Sequence, residues 1–288
     1  MQKQKALQGS SGMSRRTTAG SVVLEILSIL FALIIFLPIL WMACVSLKTD
    51  EASMPSAFQY FIPPFTVQNY TDVLTGRPQV VRWVLNSFGV AAIVTVLTTL
   101  LCAMASYAMA KLKFRYSKAM YIYFLIGLMV PGEATIVSLF VLSNKLGMID
   151  TYWGLILPSL AGSMNIIIMT SFLRGIPNDL IEAARIDGAG EVSTFVNVIL
   201  PLARTVMVTV SIFTFIGNWN SYLWPYLCAM SEDMFTLPVG IPTFISQFSV
   251  DKTVPMTVNM IASIPILVFF ILFEKQIVKG ITLAGIKG

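Results

Sequence analysis

Residues 26–47 read ILSILFALIIFLPILWMACVSL, a run of 22 residues without a charge. Fourteen of them are Leu, Ile, Phe or Val, and at about 0.3 to 0.6 kcal/mol each they favour insertion into a bilayer by roughly 4 to 8 kcal/mol. At a rise of about 1.5 Å per residue, the run is long enough to cross a hydrocarbon core of about 30 Å. It therefore predicts a membrane-spanning helix.

This first run can be a retained helix or a cleaved signal peptide, because Lys3, Lys5, Arg15 and Arg16 precede it. It is longer than the apolar region of a signal peptide, which has about 7 to 15 residues. The large ring of Trp41 also stands where cleavage requires a small side chain. A retained helix is therefore expected.

Apolar runs of similar length follow along the rest of the chain. The composition agrees with them, since 56% of the 288 residues are hydrophobic and 11% are charged, against about a quarter charged in soluble domains. A soluble single-core protein is excluded, and the fold class predicted is an all-α polytopic membrane protein with six transmembrane helices. The five further spans are expected at Val84–Ala110, Ala119–Leu142, Trp153–Leu173, Thr205–Cys228 and Met256–Phe273.

Several chemistries are excluded by the residues that the chain lacks. It has no histidine, and Cys44, Cys102 and Cys228 show no metal-ligand spacing, which argues against zinc, His-based catalysis and a disulfide framework. The sequence contains no Gly-x-x-x-x-Gly-Lys-Ser/Thr loop for binding nucleotide phosphates. The net charge of +5 does not by itself indicate nucleic acid, because in a membrane protein charge is meaningful loop by loop. We expect no nucleic-acid partner and no enzymatic activity in this chain.

The basic residues predict the orientation. Of the 19 lysines and arginines, fourteen fall on one side of the six predicted spans, so by the positive-inside rule both termini are cytoplasmic. Residues 1–20 are expected to form a flexible cytoplasmic tail, 21–279 the transmembrane domain with a cytoplasmic loop at 174–201, and 280–288 a cytoplasmic C-terminal tail. The inner basic residues are Lys3, Lys5, Arg15, Arg16, Lys111, Lys113, Arg115, Lys118, Arg174, Arg185, Arg204, Lys275, Lys279 and Lys287.

Two outer segments and one intramembrane acid stand out. Lys48–Arg82 and Ser231–Pro255 are rich in Pro and turn residues, which predicts shaped external loops. Pro131-Gly132 is expected to break the third span. Glu133 directly after this break has two interpretations, a cap on the second half-helix or a functional intramembrane acid.

The inner segment between spans four and five predicts a short cytoplasmic helix at about 178–187. Pro177 and Asp179 suit a helix start, and Gly188 and Gly190 suit its end. Leu180, Ala183, Ala184 and Asp187 share one side, and Glu182 and Arg185 project elsewhere toward a partner. Amphipathic helices that lie on lipid are usually rich in Lys and Arg, whereas this helix is balanced in charge, so docking to a protein is favoured.

The same segment resembles a known motif. Glu182-Ala183-Ala184, then Gly188, then Val198-Ile199-Leu200-Pro201 is similar in spacing to the EAA loop of ABC importer permeases, with Val198 in place of Ile. The resemblance implies a type I ABC importer permease fold, in which this loop is the coupling helix that fits a cleft in an ATPase subunit. The residues that it implies for ATPase coupling are Glu182, Ala183, Ala184, Arg185, Asp187 and Gly188.

Other motifs resemble the carbohydrate-uptake branch of that family, the MalG-like subunits of maltose-type importers. They are Pro63–Tyr70, Asn86-Ser87, Gly217–Pro225 and the C-terminal stretch 280–288. The resemblance implies a bacterial or archaeal cytoplasmic membrane location and four kinds of partner, namely a second (MalF-like) permease, two ATPase subunits, an external solute-binding protein and a carbohydrate. It implies no cofactor on this chain, with ATP and Mg held by the ATPase subunits. It also likens Ser231–Pro255 to the loop that enters the binding protein.

Polar residues within the spans are candidates for the substrate path. Their side chains can hydrogen-bond sugar hydroxyls, and a Trp can stack on a sugar ring. The alternative is helix packing, in which Ser, Thr and Asn side chains join neighbouring helices at roughly 0.6 kcal/mol each. The candidates are Ser163, Asn165, Asn218, Trp219, Asn220 and Tyr222.

Functions outside sugar import also remain open at this point. The same permease architecture can carry glycerol-phosphate or another polyol. A secondary carrier needs coupling-ion carboxylates or paired repeats, and the sequence offers Glu133 alone. A membrane scaffold would explain the loops without transport.

The orientation can be tested by cysteine labelling in a variant without the three native cysteines. Cysteines at positions 118 and 185 are expected to react with a membrane-impermeant maleimide only after the membrane is opened, whereas one at position 233 reacts in intact cells. The same cysteines labelled with a permeant maleimide serve as the control. Labelling of position 185 from outside would contradict the predicted orientation.

Overall fold

A computed structural model of the chain describes residues 19–49, 57–112, 114–244 and 252–285. Within these ranges every regular element is helical, which confirms the all-α prediction. The α-helices are α1 Ala19–Ser46, α2 Gln68–Gly76, α3 Pro78–Lys111, α4 Ser117–Met129, α5 Gly132–Lys145, α6 Tyr152–Ile156, α7 Ser163–Arg174, α8 Asp179–Ile186, α9 Glu191–Thr194, α10 Leu200–Trp219, α11 Leu223–Cys228, α12 Leu237–Gly240 and α13 Thr253–Gly285. Short 3₁₀ helices lie at Ala57–Phe61, Pro158–Leu160, Glu232–Met234 and Ile241–Phe244, and a π-helix lies at Phe195–Ile199.

Four stretches of the described chain are long and apolar enough to cross a membrane as continuous helices. They are Gly20–Ser46, Pro78–Lys111, Glu191–Trp219 and Thr253–Gln276. Two bent pairs, α4 with α5 and α6 with α7, pass the same test when each pair is taken together. The chain therefore has four spans, or up to six if each bent pair counts as one crossing, and the predicted number of six stays a prediction.

The break at Pro131-Gly132 is observed. Helix α4 ends at Met129, α5 begins at Gly132, and the two axes differ by 101°. Pro131 has no amide hydrogen and its extended backbone (φ −65°, ψ 133°) cannot continue α4. Glu133 lies in the first turn of α5, where a negative charge is favourable.

The fifth span differs from the prediction of Thr205–Cys228. The long helix runs from Glu191 to Trp219, and Leu223–Cys228 is a separate short helix. The predicted start was set by the charge of Arg204, but this side chain is exposed on the helix surface and does not interrupt it. The helix ends at Asn220, whose backbone (φ −88°, ψ 0°) departs from helical geometry.

The fourth span agrees with its predicted limits to within one residue at each end but is bent, whereas the sixth helix is longer than its predicted span. Between α6 and α7 the chain bends by 43° near Ala161-Gly162. The last helix, α13, extends to Gly285 and so includes most of the segment 280–288 that was assigned to a tail. Residues 1–18 of the predicted N-terminal tail, and 286–288, lie outside the described residues.

Helices α3, α7 and α10 form the centre of the molecule, joined by an apolar cluster and by short polar side chains. Thr170 donates to Ser106 (3.0 Å), and Ser106 donates to the carbonyl of Ile166 (3.1 Å), so both hydroxyls are buried and bonded. Thr99 bonds Ser211 across α3 and α10 (2.9 Å). Inside a membrane, where lipid offers no hydrogen bonds, such contacts hold helices together.

The outer segment after α11 folds over the beginning of α3. Trp83 donates its indole N–H to the carbonyl of Glu232 (2.8 Å), Asn86 donates to the carbonyls of Asp233 (2.8 Å) and Phe235 (2.9 Å), and Ser87 accepts from the amide of Leu237 (2.7 Å). The three α3 residues share one helix face because they are spaced at i, i+3 and i+4. The external loop predicted at Ser231–Pro255 is thus shaped, as expected, at least as far as Phe244. Residues 245–251 of this loop lie outside the described residues.

Gly240 packs against α3 with no room for a side chain. A Cβ at this position would lie 2.0 Å from the ring of Trp83, which is 1% exposed. We expect Gly240→Ala to lower the stability of the folded protein by about 1–3 kcal/mol through overpacking. Thermal unfolding in detergent, followed by size-exclusion chromatography, measures the effect.

The matched control is Gly89→Ala on α3, where a Cβ meets nothing within 4 Å. Alanine is favoured over glycine inside a helix by about 1 kcal/mol, so this variant is expected to be as stable as the parent or more so. Equal melting temperatures for Gly240→Ala and the parent would show that the contact with Trp83 is not tight.

Candidate coupling site and translocation path

Helix α8 coincides with the short helix that the sequence predicts between the fourth and fifth spans. It spans Asp179–Ile186 with Asn178 and Asp187 as its flanking residues, so the predicted limits of 178–187 agree. Asp179 and Glu182 lie in the first turn and Arg185 in the last, which matches the charges that the helix dipole favours at each end. Local sequence therefore specifies this helix.

The end of α8 depends on Gly188. Its φ of +83° is in the left-handed region, which a residue with a Cβ adopts poorly. The amide of Gly188 bonds the carbonyl of Arg185 (3.0 Å), and the amide of Ala189 bonds that of Ala184 (2.9 Å). These two bonds form a Schellman motif, which satisfies the last carbonyls of the helix and turns the chain toward α9.

One apolar side chain fixes α8 to the rest of the protein. Ile181 is 4% exposed and belongs to the apolar cluster that includes Leu173 and Ile199. Ala183 is exposed and Ala184 is half-buried, so only the first of the two alanines lies fully on the open face. That open face is formed by Leu180, Glu182, Ala183, Ile186, Asp187 and Gly188.

Arg185, which was expected to project toward a partner, also makes an ion pair within the chain, and its contact with a partner stays a prediction. Its guanidinium pairs with the carboxylate of Glu191 at 2.7 Å, and the other carboxylate oxygen accepts the hydroxyl of Tyr107 at 2.8 Å. Tyr107 and Glu191 are functional candidates that the sequence did not indicate. The sequence does not connect Glu191 with Arg185, because the two side chains meet only through the turn at Gly188. Tyr107 lies 84 residues from Glu191 along the chain.

A second polar contact holds the start of α8. Lys111, the last residue of α3, donates to the side-chain oxygen of Asn178 (2.9 Å) and to the carbonyl of Ile176. Partial burial lowers the number of water contacts of this ammonium, and the two acceptors replace them. Both ends of α8 are thus attached to the inner end of α3, the first through Lys111 and the second through Tyr107 and Glu191.

The six path candidates separate into three groups. Asn165 donates to Thr214 across α7 and α10 (3.0 Å), and Asn218 donates to the carbonyl of Thr214 one turn earlier (2.9 Å). Trp219 is 2% exposed, stacks on Phe215 with centroids 6.1 Å apart, and donates to the carbonyl of Ala262. These three side chains serve packing, which favours the alternative interpretation for them.

Asn220 and Tyr222 are exposed and, together with the buried Trp219, line a cavity of about 480 Å³ beside α13. Asn259 and Ser263 of α13 line the same cavity and were not among the candidates, because in the sequence they lie inside an apolar run. Ser163 is half-buried at the start of α7 and lines neither this cavity nor the next.

A second cavity, of about 780 Å³, lies where three helices are interrupted. Its walls include Gly132 and Glu133 after the α4–α5 break, Ala161 at the α6–α7 bend, and Ser221 and Tyr222 after the end of α10. Non-helical backbone at membrane depth is tolerated where it lines a cavity or is buried in protein. Tyr222 lies between the two cavities and lines both.

A charged contact orders the outer side of this region. The carboxylate of Asp150 accepts the amides of Met230 and Ser231 (both 2.9 Å) and the hydroxyl of Ser231 (3.0 Å). These bonds, chiefly the one from the Ser231 amide, lower the pKa of Asp150 because they stabilise its charged form. The contact joins the loop before α6 to the segment after α11.

The fold and the site together define a protein with long apolar helices, an exposed short helix on one face and cavities with polar residues between its helices. Residues 96–283 match the family described as binding-protein-dependent transport system inner membrane component. The chain belongs to this family of transport permeases.

Relatives with assigned substrates match almost the whole chain. The trehalose transport system permease protein SugB of Mycobacterium tuberculosis is 34% identical, covering 96% of this chain and 100% of the relative. The arabinooligosaccharides transport system permease protein AraQ of Halalkalibacterium halodurans is 30% identical with the same coverage. The trehalose/maltose transport system permease protein MalG of Thermococcus litoralis is 31% identical, covering 93% and 97%. The resemblance to carbohydrate-uptake permeases is confirmed.

A solved structure has the same fold. A chain in the crystal structure of a bacterial ABC transporter involved in the import of the acidic polysaccharide alginate superposes with a TM-score of 0.81 at 20% identity, covering 92% of this chain and 99% of that one. The predicted permease fold is therefore confirmed at the level of overall architecture.

The left-handed geometry of Gly188 can be tested apart from transport. We expect Gly188→Ser to destabilise the end of α8 by about 1 kcal/mol, so that the amide of Ala189 exchanges its hydrogen roughly fivefold faster. Gly190→Ser is the control, because Gly190 has an ordinary φ of −74° at the start of α9, where serine is a good cap. Equal exchange in the two variants would show that the geometry at position 188 is not required.

Proposed function

We propose that this chain is the permease subunit of an ATP-driven sugar importer, that it forms the translocation path with a second, different permease, and that α8 couples it to ATPase subunits. The observation that supports coupling is that α8 has an open face and is attached at both of its ends to one long helix, α3. A docking helix of this kind transmits movement because it is attached to a span rather than suspended in a loop. An external binding protein delivers the sugar in this scheme, and both chain termini lie in the cytoplasm.

The open face of α8 has the composition of a protein contact. Ile186 is 87% exposed and Leu180 is 43% exposed, and the small side chain of Ala183 lies between them. Exposed apolar residues grouped on a short helix favour a hydrophobic cleft in a partner. Glu182 adds a carboxylate that can form a charge-assisted hydrogen bond at the edge of such a cleft.

The proposal of a carbohydrate substrate rests on the relatives and on the two cavities. Asn220 offers an amide to the first cavity, whereas Asn259 and Ser263 line it with side chains that donate to the carbonyls of Pro255 and Asn259 (both 2.9 Å) and keep acceptor oxygens. Tyr222 stacks on Tyr226 with its ring partly exposed. Hydroxyl-rich ligands are recognised by amides and hydroxyls next to aromatic faces. Glycerol-phosphate and other polyols are the second candidate, because the same residue types also bind them.

The substrate class is tested by uptake in a strain that lacks the chromosomal gene. Complementation with the parent chain should restore uptake of labelled oligosaccharides, and a labelled polyol phosphate is compared in parallel. Uptake of the polyol phosphate alone would replace the sugar proposal with the second candidate.

Coupling is tested with Glu182→Lys and Gly188→Asp. Losing a charge-assisted contact costs about 1.5–3 kcal/mol, so Glu182→Lys should weaken ATPase co-purification and uptake by about tenfold or more while membrane abundance stays unchanged. The control is Asp72→Lys, the same reversal of charge on exposed helix α2, which should leave co-purification unchanged.

These variants separate coupling from folding. If both transport at the parental rate with ATPase subunits bound, α8 is not the coupling element. If their membrane abundance collapses, the two residues serve folding instead.

A further inference from the structure

The carboxylate of Glu191 joins three helices at one point. One oxygen pairs with Arg185 of α8 at 2.7 Å, and the other accepts the hydroxyl of Tyr107 of α3 at 2.8 Å. Tyr107 is 5% exposed, whereas the Arg185 and Glu191 side chains are about half exposed. Both oxygens are therefore used, each by a different helix.

The carboxylate of Glu191 connects α8 to the ends of two long helices. Glu191 is the first residue of the continuous helix that ends at Trp219 beside the first cavity. Tyr107 lies one turn before the inner end of α3. A displacement of α8 at Arg185 therefore acts on the ends of two spans through a single side chain.

The backbone beyond Glu191 is not a plain α-helix. Residues Phe195–Ile199 form a π-helix between α9 and α10, and π-helical turns within α-helices are rare and frequently lie at functional sites. The ring of Phe195 lies 5.2 Å from that of Tyr107. The interruption of the α-helical hydrogen-bond pattern thus lies beside the side chains that connect α8, α3 and α9.

We propose that Tyr107 and Glu191 are positioning residues of the coupling helix: the shared carboxylate fixes the angle between α8 and the two spans, so that closure of the ATPase subunits drives the path open. The proposal rests on the coupling function proposed above for α8. Apolar contact through Ile181 and the Lys111 contact at the start of α8 keep the helix attached without this carboxylate. The two hydrogen bonds of Glu191 give a direction to the attachment of its other end.

The test uses the assembled complex in proteoliposomes, with Tyr107→Phe, Arg185→Gln and Glu191→Ala. The measured quantity is the number of ATP molecules hydrolysed per sugar imported. An exposed ion pair contributes little free energy, so we expect this ratio to rise about threefold for Arg185→Gln. A hydrogen bond to a charged group contributes more, so we expect a rise of about fivefold or more for Tyr107→Phe and Glu191→Ala. ATPase co-purification and membrane abundance should stay at parental values.

Non-additivity distinguishes positioning from a general loss of stability. Tyr107→Phe combined with Arg185→Gln should raise the ratio no further than Glu191→Ala, since all three variants act through one carboxylate. Tyr70→Phe is the matched control, because it removes a hydroxyl that bonds Ser46 at 2.7 Å at the far end of α1. It should leave the ratio unchanged.

The outcomes separate this proposal from the coupling function itself. Parental ratios in all three variants, with Glu182→Lys defective, would overturn the positioning role and leave α8 as the coupling element. A fall in abundance or melting temperature with an unchanged ratio would likewise overturn it in favour of a structural role. Normal transport by Glu182→Lys and Gly188→Asp would instead remove the coupling function on which the proposal rests.

Discussion

The backbone of a chain in hydrocarbon must satisfy its own hydrogen bonds, and every main feature of this protein follows from that requirement. It explains why the regular structure of the described ranges is helical. It also explains where helices can end early. The three interruptions, at Pro131, at Gly162 and after Trp219, adjoin one cavity, and in such a place freed backbone groups can find water or ligand. A path for a polar solute and the breaks in the helices thus have the same physical origin.

The sequence predicted helix limits most accurately where they depend on local residues. Helix α8 was located to within one residue at each end because Pro177, Asp179 and Gly188 act through their own backbone geometry. The break before Gly132 was predicted for the same reason. The fifth long helix begins at Glu191, before the predicted start at Thr205, because a helix surface can expose one charge such as that of Arg204 without ending.

The site was predicted less completely, and for two different reasons. Tyr107 and Glu191 meet only in three dimensions, so no spacing rule connects them. Polar residues inside spans are easily located in the sequence, but their roles are not, since the same residue types serve helix packing and substrate binding. Asn165 and Asn218 donate hydrogen bonds to Thr214, whereas Asn220 lines a cavity. The sequence alone does not distinguish the packing residues from the cavity residue.

Helix α3 connects the two faces of the molecule. Its inner end carries Tyr107 and Lys111, which hold α8, and its outer end carries Trp83 and Asn86, which hold the external segment. The helix has 34 residues and is therefore roughly 50 Å long. It has no proline beyond its first residue and so lacks a common cause of a sharp kink. In the proposed coupling scheme, a tilt imposed at the end that carries Tyr107 and Lys111 is therefore transmitted to the end that carries Trp83 and Asn86. Attachment of α8 to α3, rather than to a bent pair such as α4 and α5, is what this scheme uses to carry a movement from one face of the protein to the other.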